Sequence, residues 1–123
     1  MTHWQFICLA EDIPLKGSRR VHRSEGPDIA LFRTGDGEVF ALLDRCPHKG
    51  GPLSQGIVFG RHVACPLHNW AISLEDGQAR APDAGCSVKF AAQVAGGRVM
   101  LDAIEIKTLG LLTLPITGTA ACA

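Results

Sequence analysis

Several common signals are missing from this sequence, and each absence removes a class of function. Twelve basic and twelve acidic side chains cancel, so net charge points to neither a nucleic acid nor a membrane surface as partner. No apolar run is long enough to span a bilayer. The N-terminal stretch Trp4–Ala10 is interrupted by Gln5 and follows no basic segment, so it does not read as a signal peptide, and the chain is expected to be cytoplasmic. Five cysteines cannot all pair in one chain, which argues against a complete disulfide framework, and Cys8, Cys86 and Cys122 read as inert thiols. No segment keeps a 3.6-residue apolar period, so helix content is expected to be small. No nucleophile–base pair and no phosphate-cradling glycine loop is evident.

At 123 residues the chain is long enough for one domain with a real core. Strand signals recur about every ten residues, each closed by Gly, Pro or Asp. They predict strands over 4–9, 19–24, 29–33, 39–43, 57–59, 62–64, 70–73, 88–94 and 98–102. Thr34–Glu38, Glu75–Gln78 and Ala95–Gly97 read as tight turns, because glycine accepts the positive φ such turns require. The fold class is therefore all-β, of short antiparallel strands. Residues 1–107 form the expected domain. The sixteen residues of 108–123 carry no charged side chain and read as an apolar C-terminal tail.

One stretch carries the chemistry. In CPHKGGPLSQGIVFGRHVACPLH, Cys46-Pro47-His48 and Cys65-Pro66-Leu67-His68 place two thiolates and two imidazoles in pairs, sixteen residues apart. Structural zinc sites usually space cysteines by two to four residues and histidines by three to five, so that each pair wraps one ion. A single residue between Cys46 and His48 is tight for that geometry. Two irons relieve it, since each segment can send its thiolate to one metal and its imidazole to the other. One zinc ion remains the alternative. His3, His22 and His62 read as surface histidines, with strand alternation turning His62 away from the loop that follows it.

This pattern resembles the Rieske [2Fe–2S] motif residue for residue, with likeness over residues 4 to about 103. The resemblance implies a Rieske-type antiparallel β-sandwich with two cluster-binding loops at one tip. It implies one [2Fe–2S] cluster per chain, with Cys46, His48, Cys65 and His68 as its ligands. A third, proline-bearing loop covers the cluster in the family, and 81–85 is the best match for it. Two His in place of two Cys leave the oxidised centre formally neutral, which raises its potential to roughly −150 to +300 mV. Rieske proteins of respiratory complexes cross-link their loops with an extra cysteine in each. Here Gly50 or Gly51 and Leu67 stand in those places, and the resemblance is to soluble carriers.

Among these, HKGGPLSQG and CPLHNWAISLEDGQA are most similar to the small subunit of NAD(P)H-dependent assimilatory nitrite reductase. That resemblance implies a large partner subunit carrying FAD, a [4Fe–4S] cluster and sirohaem. The second resemblance is to the ferredoxin component of an aromatic-ring-hydroxylating dioxygenase, which would be served by a dioxygenase and its reductase. A purely structural subunit is the third reading, disfavoured by the retained ligands. Under the first two readings the chain supplies electrons, and under none of the three does it transform a substrate itself. The free N–H groups of Lys49, Gly50, Leu67 and Asn69 are candidate donors to cluster sulfurs. Arg45, Lys49 and Arg61 lie in a stretch, Arg45 to Leu74, with no acidic residue, and could steer an acidic partner.

Overall fold

The computed structural model describes residues 3–47, 50–67, 69–80 and 85–111. Among the described residues there are ten strands in three antiparallel sheets, two single-turn 3-10 helices and one short α-helix. The first sheet orders β1 (Trp4–Leu9), β10 (Arg98–Asp102) and β9 (Ala92–Ala95). The second orders β2 (Gly17–Val21), β3 (Ile29–Arg33), β4 (Val39–Leu43) and β8 (Lys89–Phe90). The third orders β5 (Ile57–Phe59), β6 (His62–Ala64) and β7 (Ala71–Ser73).

The second sheet is the middle layer. Successive side chains of a strand point to opposite faces, and along β3 both faces are buried. Ile29 and Leu31 join one apolar cluster with Cys8, Val99 and Leu101 of the first sheet. Ala30 and Phe32 join another with Val58, Val63 and Ile72 of the third. In β4 the same division separates Ala41 and Leu43 from Leu42. This double burial explains why Ile-Ala-Leu-Phe and Phe-Ala-Leu-Leu read as unbroken apolar runs rather than alternating ones. A fully buried Phe32 or Leu42 contributes about 1.5–3 kcal/mol through area removed from water.

β7 starts at Ala71, one residue later than expected, and three larger differences each have a local reason. β2 begins at Gly17, where a turn closes with the Gly17 N–H on the Pro14 carbonyl at 2.9 Å and Lys16 at φ 57°. The expected strand over 88–94 is two, because the chain leaves the middle sheet at Ala91 and joins the first. The Ala91 N–H there donates to Glu105 Oε1 at 2.7 Å instead of to a strand. Beyond β10 stands a helix, α1 (Ala103–Thr108), too short to leave a periodic signal. Asp102 caps it by accepting the Ile104 N–H at 2.9 Å, satisfying one donor of the first turn.

Arg23 ties the far end of α1 to the core. Its guanidinium is buried and donates to the carbonyls of Pro27 (2.7 Å), Ile106 (3.0 Å), Leu109 (2.6 Å) and Gly110 (2.9 Å). Ile106 and Leu109 pack onto the cluster that contains Val99 and Leu101. The three expected turns are present, with Gly37, Gly77, Gly96 and Gly97 at positive φ. Among the described residues no helix is long and apolar enough to cross a membrane.

Candidate metal centre

Two loops emerge at one end of the middle and third sheets, and they share one backbone design. The first follows β4 and the second joins β6 to β7. In the first, the Cys46 N–H donates to the Gly51 carbonyl (2.7 Å) and the Gly50 N–H returns to the Cys46 carbonyl (2.8 Å). In the second, the Cys65 N–H donates to the Trp70 carbonyl (2.8 Å) and the Asn69 N–H returns to the Cys65 carbonyl (2.9 Å). Each loop thus closes from cysteine i onto residues i+4 and i+5. At i+4 the chain turns through positive φ, 73° at Gly50 and 57° at Asn69. A proline follows each cysteine, fixing φ there and removing a donor that would need a partner.

These closures correct one expectation. The N–H groups of Gly50 and Asn69, named as candidate donors to cluster sulfur, are spent on the cysteine carbonyls of their own loops. A backbone donor bonded linearly to one acceptor is not aimed at a second.

The loops meet at Gly51. A side chain there would place its Cβ 2.9 Å from Leu67 Cγ and 3.2 Å from Cys65 Sγ, so the absence of one lets Leu67 and the Cys65 thiol approach the first loop. Of the two glycines considered for an inter-loop cross-link, it is Gly51 that stands against Leu67. Gly85 packs in the same region: a Cβ there would lie 3.3 Å from Pro47 Cβ and 3.9 Å from the Trp70 ring. Residues 81–84 of the expected covering loop lie outside the described residues, but Gly85, its last position, abuts both loops.

Cys46 and Cys65 are 3% and 1% exposed, belong to the same apolar cluster, and are not disulfide-bonded. His48 and His68 lie outside the described residues, as does Lys49. Two buried thiols at the mouths of matched loops, with a glycine clearing the space beside one sulfur, suit a soft-metal or iron–sulfur group.

The loops are anchored by residues the motif does not reveal. Ser87 donates from Oγ to the carbonyls of Leu43 (3.1 Å) and Arg45 (3.2 Å), holding the entry to the first loop. Asp44, buried, accepts the Ser54 N–H on Oδ1 (2.7 Å) and the Ser54 hydroxyl on Oδ2 (2.7 Å). That pins both ends of the first loop together. Oδ2 also receives Arg20 Nε at 3.0 Å. The signal for these residues is long-range pairing, which spacing alone does not encode.

Two other expectations change. Arg61 is no isolated cation: its guanidinium pairs with Glu38 and, at 3.3 Å, with Glu75. The turn that brings Glu75 back and the hairpin that carries Glu38 supply carboxylates absent from the local sequence. Cys86 is disulfide-bonded and not an inert thiol, whereas Cys8 is buried in the cluster between the first and middle sheets. Burial raises the Cys8 thiol above its ordinary range. Cys122 lies outside the described residues. His3 and His22 are exposed, His22 bonding Asp28 at 2.8 Å, and His62 stacks on Phe59 on the outer face of the third sheet.

Comparison with known proteins agrees with this geometry. The family model described as Rieske [2Fe-2S] domain matches residues 3–96. The 4beta-methylsterol monooxygenase of Methylococcus capsulatus is 36% identical over 86% of this chain, which spans only 26% of that protein's length. The 3-phenylpropionate/cinnamic acid dioxygenase ferredoxin subunit of Photorhabdus laumondii is 43% identical over 60% of the chain and 69% of its own. Among solved structures, one named as an NADH-dependent nitrite reductase small subunit from Mycobacterium tuberculosis superposes with a TM-score of 0.72 at 28% identity. That match covers 82% of this chain and 95% of that one. The match to the family model runs through both loops and strands β1 to β9, so this chain belongs to the Rieske [2Fe–2S] domain family, an electron-transfer domain whose cofactor is a Rieske-type [2Fe–2S] cluster.

Proposed function

We propose that this chain passes single electrons as the small subunit of a cytoplasmic NAD(P)H-dependent nitrite reductase. Cys46 and Cys65 would hold one iron of the cluster, and His48 and His68 the other. The observation that carries this reading is the likeness of the loop-flanking segments, because the structural likeness, 95% of the nitrite reductase small subunit at TM-score 0.72, is equalled by a chain of the carbazole 1,9a-dioxygenase oxygenase–ferredoxin complex at 94% and 0.73. Those segments are HKGGPLSQG and CPLHNWAISLEDGQA, and the structure gives parts of them a purpose. Gly51 admits Leu67 and the Cys65 sulfur, and Asn69 supplies the left-handed turn that closes the second loop.

The cluster supplies a one-electron couple. The residues of this chain do the rest. The two loops bury the thiols away from water, Ser87 and Asp44 hold the first loop to the sheet, and Leu67 and Pro66 are left exposed at the tip. Such a tip can approach an acceptor closely. The partner is a large subunit with FAD, a [4Fe–4S] cluster and sirohaem.

The second reading, a ferredoxin component for an aromatic-ring-hydroxylating dioxygenase, is favoured by the 43% identity to the Photorhabdus subunit. Reconstitution separates them. The purified holoprotein, added to a sirohaem large subunit, is expected to support nitrite-dependent NAD(P)H oxidation with ammonium as product. Support of arene dihydroxylation by a dioxygenase and its reductase, without nitrite turnover, would establish the second reading instead.

A further inference from the structure

We infer that Asp44 is a positioning residue that also sets the cluster's potential, with Arg20 as its counterweight. The inference rests on the proposal that Cys46 binds the cluster. Asp44 lies two residues before Cys46, so their Cα atoms are at most about 7 Å apart. Its carboxylate is 4% exposed and makes three hydrogen bonds, two to Ser54 and one to Arg20. Those bonds place a full negative charge, shielded from water, at the root of the first loop.

The pair is not balanced. The Arg20 side chain is 47% exposed. It also faces Asp28 at 3.6 Å, and Asp28 is shared with the exposed His22. Solvent screens a half-exposed cation far more than a buried anion. The Arg45 guanidinium beside Gly50 is common to wild type and the variants below, so it is the contribution of the Asp44–Arg20 pair that is net negative, and that contribution opposes arrival of an electron. Asp44 thus holds the potential down, and Arg20 raises it part of the way back. No step of proton transfer is involved.

The two charges make opposite predictions, whereas loosening of the loop does not. The measurement is the midpoint potential of purified holoprotein at one pH and ionic strength, with iron content and the reduced-state EPR spectrum recorded alongside. Asp44→Asn keeps an acceptor for the Ser54 N–H and is expected to raise the potential. Arg20→Gln is expected to lower it by a smaller amount, and Arg20→Lys to leave it near the wild-type value. Ser54→Ala removes the hydroxyl's bond to Asp44 and the one it accepts from Arg20 without changing charge, and is expected to cost stability with the potential unmoved. Shifts of Asp44→Asn and Arg20→Gln in the same direction, or no shift in Asp44→Asn, would overturn the inference. Should Asp44→Asn fail to fold, Arg20→Gln decides: a lowered potential supports the inference, and an unchanged or raised one rejects it. Wild-type protein lacking two irons per chain would instead reject the ligand proposal beneath it.

Discussion

Gly50 and Asn69 occupy the same step of two different loops, each in left-handed backbone conformation and each donating its N–H to the carbonyl of the cysteine four residues earlier. The two loops are one structural unit used twice, although their histidines stand at different offsets from the cysteine. Left-handed φ costs a residue with a Cβ roughly 1–2 kcal/mol, least for Asn. Gly50→Val is therefore expected to destabilise the holoprotein by about that much and to speed iron loss. Asn69→Gly should be nearly neutral. Urea unfolding and iron release to a chelator check both.

Cysteines of the loops and cysteines elsewhere should separate cleanly. Cys46→Ser or Cys65→Ser is expected to abolish the cluster, with loss of loop order, since metal binding and folding are linked. Cys8→Ala lies in the other apolar cluster and should lower stability while keeping full iron content. Cys86→Ser is also expected to keep it. Iron and sulfide analysis of each purified variant is the check, and bleaching of Cys8→Ala would count against the ligand set.

Arg23 should matter for stability without touching redox chemistry. Arg23→Met removes four hydrogen bonds to carbonyls around the end of α1. Half-buried acceptors left without donors make a loss of about 1–3 kcal/mol the expected result. Amide exchange of α1 should accelerate, with iron content and potential unchanged.

Docking by charge should run through arginines other than Arg61. Arg45 and Arg80 make no ion pair among the described residues, and both flank the loop end of the third sheet, whereas Arg61 is neutralised by Glu38 and Glu75. Arg45→Glu with Arg80→Glu is expected to slow association with an acidic partner, most at low salt, where the Debye length exceeds about 10 Å. Arg61→Gln should leave the rate alone. Stopped-flow association across ionic strengths distinguishes these.

Asp36 gives a pH dependence of known sign. The Thr34 hydroxyl donates to its carboxylate and holds it below its ordinary value of 3.8. A lowered carboxylate stabilises the fold above its unfolded value, and the contribution disappears as pH falls through the folded one. The urea midpoint of Asp36→Asn should lie below wild type at neutral pH, and the gap should close as pH falls through the lowered folded-state value of the carboxylate.

Strand placement was legible where one local cause sufficed. β1, β3, β4, β5, β6 and β10 fall where apolar runs bounded by turn residues predicted them. The nature of the centre was legible too, because Cys46-x-His48 and Cys65-x-x-His68 specify donor type and spacing together. What the chain could not reveal by itself depends on residues far apart in sequence. Arg61 reads as a free cation until folding returns Glu75 beside it. Asp44 carries no signal in the sequence, and its role comes from Ser54 and Arg20 converging on it. Ala91 reads as mid-strand until Glu105 claims its N–H. Periodicity and spacing are short-range properties of a chain, whereas ion pairing and burial are set by whichever segments the tertiary fold brings together.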